Sequence, residues 1–222
     1  QVPPRWQGAA LLQAKRALPV DLSVLHLAMP AMLAKHDPDD LIERLTHWCH
    51  QAQPLHGTAG LAPVYEIGMQ QSHPDETWPL LSRFAGLDYM NAFPLAARGV
   101  NRIHSINWLT ILGRPMLDEI GGAEQLAGLL ASAAQELDAT DPEAPVLHAY
   151  DGGVVIRAGQ YPQLGDRNIS GIPNSYRIVN RALRPWLFTD YLNKPTRLIK
   201  VPRPLDAFAE TIGWVTRFDG EG

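Results

Sequence analysis

The segment SINWLTILG, residues 105–113, decides the fold class. Ile106 and Trp108 are apolar on one alternation of this run, and Leu109 and Ile111 are apolar on the other. Because the side chains of a strand point alternately to the two faces of a sheet, a run that is apolar on both alternations is typical of a buried strand. The segment therefore predicts a central strand that other elements cover on both faces.

A hairpin and several helices are predicted on the C-terminal side of this strand. The segments PVLHAY and VVIRAG flank Asp151-Gly152-Gly153, where glycine supplies the positive φ of a tight turn without strain. Apolar residues at helical spacing predict an amphipathic helix over 122–137. Two further helices are predicted near 173–187 and 204–218.

The N-terminal half predicts a mixture of strands and helices. Asp37 is a good N-cap and Pro38 suits a first helical position, so a helix is expected over 38–50. We also predict strands at 23–29 and 64–70, a short helix at 9–17, and a helix at 75–86 that Pro79 interrupts. Strict βαβ alternation is missing, which favours an α+β fold with a largely antiparallel sheet flanked by helices, in a single domain over 1–222.

Composition is typical of a globular protein with no membrane segment. Hydrophobic residues make up 45% of the 222 residues and charged residues 19%, and no apolar run approaches the roughly 20 residues that span a bilayer. The single cysteine, Cys49, excludes an internal disulfide and favours the cytoplasm. The chain begins with Gln1, so an N-terminally truncated copy or a removed signal peptide stays open.

Charge is unevenly spread along the chain. Residues 1–143 hold 16 acidic and 9 basic side chains, whereas residues 144–222 hold 7 acidic and 10 basic ones. The segment from Arg114 to Glu143 is the densest, with seven acidic residues and Arg114 as its single base. Such a surface repels nucleic acid and attracts a basic partner, although an ordinary solvated face has the same charge pattern.

The search for catalytic chemistry yields no nucleophile or cofactor motif. The sequence contains no phosphate-binding Gly-x-x-x-x-Gly-Lys loop, no Gly-x-Ser-x-Gly elbow and no Cys-x-x-Cys pair. Cys49 lies on the apolar face of its predicted helix, which indicates a buried structural thiol. We therefore assign no catalytic residue and no cofactor.

Two histidines and a glutamate suggest an alternative function, that of a metal-dependent enzyme. Glu43, His47 and His50 fall at i, i+4 and i+7 of the helix predicted over 38–50, where they share a polar face that could bind a divalent metal. This spacing differs from the His-Glu-x-x-His pattern of hydrolytic zinc sites, and a helix C-terminus favours histidine through its dipole. We predict no metal site, and a metal-dependent hydrolase remains the alternative.

Two other polar sets favour structural roles. Asp151, Asp166 and Asn168 lie in glycine-containing turns, where such residues commonly bond to the local backbone. Arg177, Arg181 and Arg184 form a basic stripe without interleaved aromatic residues, which is a weak signal for direct nucleic-acid binding. This stripe is better explained as a solvated face or as a pairing surface for an acidic partner.

Several segments together resemble the type VI secretion immunity family, formerly a domain of unknown function. The blocks are GLDY at 86–89, SINWLTILGRPML at 105–117 with Ile120-Gly121-Gly122, YDGGVVIRAGQYPQLGDRN at 150–168 with IPNSYRIVNRALRP, and the terminal RPLDAFAETIGWVTRFD. The similarity runs in order from about residue 86 to residue 219. It departs from the family pattern at Arg157, where a glutamine is expected, and in the shortened region 57–75.

The resemblance implies immunity to a toxin. Members of the family are paired with secreted nuclease effectors of the VRR-NUC and Tox-REase classes, so the implied partner is a cognate type VI effector toxin. The implied function is stoichiometric protein–protein inhibition in the cytoplasm, without enzymatic activity. Immunity to a periplasmic toxin stays open, as does the oligomeric state.

Acidic side chains are the predicted contacts for this toxin, because a DNA-cleaving enzyme needs a basic surface. The YDGG and LGD residues are instead expected to determine the fold. The predicted effector-binding residues are Asp37, Asp39, Asp40, Glu43, Asp118, Glu119, Glu136, Asp138 and Asp141.

Overall fold

A computed structural model describes residues 11–14, 23–63, 74–89, 101–138, 144–188 and 199–220. The strand predicted at 64–70 lies outside these ranges. Two strands, β1 (Leu11–Ala14) and β2 (Ser23–His26), pair antiparallel. The main sheet consists of β3 (His56–Ala59), β4 (Leu109–Gly113), β5 (Val146–Tyr150) and β6 (Gly153–Arg157).

The main sheet is antiparallel throughout. Its strand order is β3-β4-β6-β5, so β4 and β6 are the two inner strands. All five residues of β4 are buried, as expected of a central strand covered on both faces. The predicted hairpin is confirmed by β5 and β6, which are joined through Asp151 and Gly152.

Seven α-helices lie within these ranges. They are α1 (Ala31–His36), α2 (Pro38–Ala52), α3 (Pro74–Arg83), α4 (Arg114–Ile120), α5 (Gly122–Glu136), α6 (Asn174–Leu183) and α7 (Ala207–Val215), and a 3-10 turn at Arg184–Trp186 extends α6. The helices predicted for α2, α3, α5, α6 and α7 are confirmed. Within this part of the chain, no helix is long and apolar enough to cross a bilayer.

Two local predictions are wrong. Residues 11–14 form a strand rather than part of a helix over 9–17, because their backbone groups pair with 23–26 and this pairing overrides a weak helical preference. Pro79 does not interrupt α3, which is continuous from Pro74 to Arg83.

The register of the sheet shows how the layers form. Leu109 pairs with Arg157 and Ile111 with Val155, so these four side chains share one face. Helix α2 packs on β5 and β6, and its Asp39 forms an ion pair of 2.7 Å with Arg157. On the other alternation of β4 and β6, Thr110, Leu112, Val154 and Ile156 are also fully buried. The described elements thus form an α+β fold, as the sequence predicts.

Candidate functional site

The acidic residues at the start of α2 are largely engaged within the chain. Asp37 caps the helix by accepting a hydrogen bond of 3.0 Å from the backbone N–H of Asp40. The Asp40 carboxylate pairs with Arg44 at 2.7 Å, and this hydrogen bond holds the pKa of Asp40 below its usual value. Asp39 pairs with Arg157. Glu43 is exposed and has no ion pair to a described residue.

A second acidic group lies on α4, on α5 and just beyond α5. Glu119 pairs with Arg102 at 3.0 Å and Glu136 pairs with Arg181 at 2.9 Å. Asp118 and Asp138 are exposed, and the described part of the chain offers neither an ion-pair partner within 4 Å. Asp141 lies outside the described residues.

The two acidic groups belong to different parts of the fold. Helix α2 packs on α1, β5 and β6, whereas α5 packs on α4 and α6. Four of the predicted contact residues, Asp39, Asp40, Glu119 and Glu136, already pair with arginines. Three of these pairs join exposed side chains and are therefore weak, whereas Arg157, the partner of Asp39, is only 18% exposed.

Two of the three arginines in the predicted basic stripe form ion pairs within the chain. Arg181 pairs with Glu136 of α5, and Arg184 pairs with Asp219 at 2.9 Å. Asp219 also accepts a hydrogen bond of 2.8 Å from the buried Asn180 side chain. The predicted acidic partner of this stripe is therefore, in part, the same protein.

Glu43, His47 and His50 do not form a metal centre. All three side chains are exposed on α2. Among the residues that the structure describes, no three His, Cys, Asp or Glu side chains are grouped closely enough to hold a metal ion. This arrangement gives no support to the hydrolase alternative.

Cys49 is also unsuited to a role as a catalytic nucleophile. Its side chain is buried on α2, and burial raises the pKa of its thiol to about 11. The thiolate is the nucleophilic form of cysteine, so Cys49 is a poor nucleophile at neutral pH. A structural thiol, as the sequence predicts, agrees with this environment.

One small cavity is present beside α4. Its volume is about 40 Å³, and it is lined by Leu55, Asn101, Pro115, Met116 and Glu119. Pockets that bind small-molecule substrates typically measure about 300–1,000 Å³. This cavity is too small to serve as one.

The motif blocks around residues 86 and 166 bind each other. The Arg83 side chain donates three hydrogen bonds of 2.6–3.1 Å to the Asp166 carboxylate, which lowers the pKa of Asp166. The backbone N–H groups of Ala85 and Gly86 donate to the carbonyls of Gly165 and Leu164 at 3.0 and 2.8 Å. A structural role for Asp166, predicted from its turn, fits these contacts.

Arg217 of the terminal WVTRFD block joins the same network from the centre of the protein. Its buried guanidinium donates to the carbonyls of Ala85, Ile106 and Trp214 and to the Ser105 hydroxyl, at 2.9–3.2 Å. It stacks on the rings of Trp214 and Phe218. Burial lowers its pKa to about 10, so it stays charged at neutral pH.

Sequence reasoning missed the role of Arg217. Only its place in the terminal motif marked it, since a single arginine near the end of a predicted helix otherwise resembles a surface residue. Sequence reasoning also did not show that Arg157, the departure from the family pattern, is largely buried and pairs with Asp39. The motif blocks thus stabilise the fold by contacting one another, whereas the predicted contact residues that the structure describes lie on the protein surface.

Comparisons with known proteins identify the family. The family model described as type VI immunity for VRR-NUC matches residues 5–218. Among solved structures, the Pseudomonas aeruginosa T6SS protein PA0821 is similar, with 26% sequence identity and a TM-score of 0.69. The alignment covers 89% of this chain but 53% of PA0821, so the chain spans about half the length of that protein. No curated protein matches. Because the family model covers nearly the whole chain, this protein belongs to the type VI immunity family for VRR-NUC toxins.

Proposed function

We propose that this chain inhibits a VRR-NUC nuclease toxin of a type VI secretion system by binding it stoichiometrically, without catalysing a reaction. The observation that carries the proposal is the family match over residues 5–218. The surface agrees with this role, since exposed acidic side chains suit a partner that must itself bind DNA phosphates. We place the inhibitor in the cytoplasm, where a DNA-cleaving toxin meets its substrate.

Within this proposal, the acidic group on α4 and α5 makes the first contact with the toxin. Asp118 and Asp138 are exposed and have no internal ion pair to a described residue. No internal ion pair therefore offsets their attraction for a basic partner. In the α2 group only Glu43 has no internal role, since Asp37 caps the helix and Asp39 and Asp40 pair with arginines. Glu119 and Glu136 of the α4–α5 group are paired in the same way. The α4–α5 group therefore supplies more of the field that steers a basic toxin.

We expect charge removal in this group to slow association with the toxin. Replacing Asp118 and Asp138 by asparagine should reduce the association rate by roughly fivefold at low salt, since steering by opposite charges accelerates encounter. The effect should shrink at 0.5 M salt, where the Debye length falls to about 4 Å. Biolayer interferometry with a nuclease-inactive toxin measures the association rate at low salt and at 0.5 M salt.

The α2 group supplies a matched control. The variant Asp40→Asn/Glu43→Gln removes two exposed charges while leaving the Asp37 cap and the Asp39–Arg157 pair in place. Its association rate should stay within about twofold of the wild-type rate. Unchanged association of the α4–α5 variant at low salt would contradict the assignment of that group.

A further inference from the structure

The loop that connects β6 to α6 exposes apolar side chains. Residues 161–171, here called the apolar loop, include Tyr161, Leu164 and Ile169, whose exposed fractions are 39%, 43% and 81%. Ile169 is the most exposed large hydrophobic residue in the described part of the chain. Isolated exposed apolar side chains are common on protein surfaces, but several within one loop are a feature of interaction sites.

The apolar loop is held in a fixed conformation. The carbonyl of Asp166 accepts hydrogen bonds of 2.9–3.0 Å from the backbone N–H groups of Ile169, Ser170 and Gly171. The Asp166 carboxylate is held by Arg83 and accepts a further hydrogen bond of 3.0 Å from the N–H of Asn168. At the other end of the loop, the Tyr176 hydroxyl accepts from the backbone N–H of Gln163 at 3.0 Å.

Such rigidity suits a binding anchor. A loop whose backbone is already held by hydrogen bonds in the free protein loses little backbone conformational entropy when a partner covers it. Apolar anchors surrounded by polar residues are also the usual centre of a heteromeric interface. Here Asp166, Arg167 and Asn168 supply polar neighbours of both charge signs beside Ile169.

Helix α6 connects the apolar loop to the acidic group on α4 and α5. Helix α6 begins at Asn174, directly after the loop, and its Arg181 pairs with Glu136 of α5. Arg181 lies seven positions after Asn174, which is about 10 Å along the helix axis. A standard interface covers about 800 Å² on each partner and is therefore roughly 30 Å across. One partner that covers the start of α6 can thus also reach Arg181 and Glu136.

We propose that the apolar loop anchors the nuclease toxin, with Ile169 inserted into an apolar pocket of that toxin. This inference rests on the proposed function and adds to it the part of the interface that slows dissociation. The acidic group governs how fast the toxin arrives, and the apolar loop governs how long it stays.

The test compares equivalent changes at two exposed apolar positions. Ile169→Asp places a charge at the centre of the proposed contact, and Leu25→Asp makes the same change on the β1–β2 hairpin, where Leu25 is 50% exposed. Ile169→Leu keeps an apolar anchor. The product of the adjacent gene is made in a nuclease-inactive form, and its dissociation rate and dissociation constant for each variant are measured by biolayer interferometry. Folding is checked by thermal unfolding.

We expect Ile169→Asp to weaken binding by about 30-fold or more through faster dissociation, with an unchanged Tm. Leu25→Asp and Ile169→Leu should bind within about threefold of the wild type. If the wild type binds and Ile169→Asp binds equally well, the apolar loop is not the anchor, although the proposed function stands. If the wild type itself does not bind, both proposals are wrong. If Ile169→Asp instead dissociates a dimer of this chain without changing toxin binding, the loop joins two copies and its assignment to the toxin is wrong.

Discussion

Replacing Arg217 by methionine is expected to lower the free energy of unfolding by about 3–5 kcal/mol, because a buried charge at the centre of several hydrogen bonds is removed. The substitution leaves the carbonyls of Ala85, Ile106 and Trp214 without this donor. It also removes a positive charge that interacts favourably with Asp88, which is itself buried. Methionine keeps most of the apolar packing against Trp214 and Phe218, so the loss reports the polar contacts.

Urea unfolding followed by circular dichroism measures this loss, and Arg184 provides the control. Arg184 also lies near the C-terminal block and pairs with Asp219, but its side chain is 56% exposed. Arg184→Met should therefore cost less than about 1 kcal/mol. If Arg217→Met and Arg184→Met had equal effects, the buried network would not hold the C-terminal block in place.

The second large effect is expected at Gly153, in the inner strand β6. A Cβ atom at this position would lie 2.1 Å from the carbonyl oxygen of Leu112 in β4 and 2.5 Å from the Tyr150 hydroxyl. Gly113, its partner in the register, is equally crowded, since a Cβ there would lie 2.0 Å from the carbonyl oxygen of Pro54. Gly153→Ala must displace backbone where the inner strand β6 begins, so we expect a loss of about 3 kcal/mol.

Gly128 on α5 is the matched control for this change. No heavy atom lies within 4 Å of a Cβ built at Gly128, and alanine is the better helix former by about 0.5–1 kcal/mol. Gly128→Ala should raise the midpoint of urea unfolding, whereas Gly153→Ala should lower it. A Gly153→Ala protein with wild-type stability would show that β4 and β6 are not packed as described.

Capping and turn residues in the sequence correctly marked the start of one helix and the turn of the hairpin. The cap Asp37 and the first-turn Pro38 marked the start of α2, and Asp151-Gly152 marked the turn of the hairpin. Helix α4 was missed although its signals are present, with Pro115 near its start and Gly121 at φ +101° after its end. Residues 11–14 were assigned wrongly because their state depends on pairing with residues 23–26, which no local signal reports.

The candidate site was harder to predict because it depends on contacts between distant residues. The acidic residues could be listed from the sequence, but their internal partners could not, since Asp39 and Arg157 are 118 positions apart and Glu136 and Arg181 are 45 apart. Exposure of an apolar residue is likewise set by the tertiary fold. Ile169 therefore carried no signal in the sequence, whereas its exposure and the fixed loop around it are visible in the structure.

The measurement that tests the central claim most directly is inhibition of DNA cleavage by the purified chain. The purified product of the adjacent gene is titrated with the immunity protein, and cleavage of linear duplex DNA is followed together with complex formation by gel filtration. The account predicts a stable complex and a linear loss of cleavage that is complete at a fixed ratio near one immunity protein per toxin. Cleavage that continues in the presence of excess immunity protein, or a partner that does not act on DNA, would contradict it.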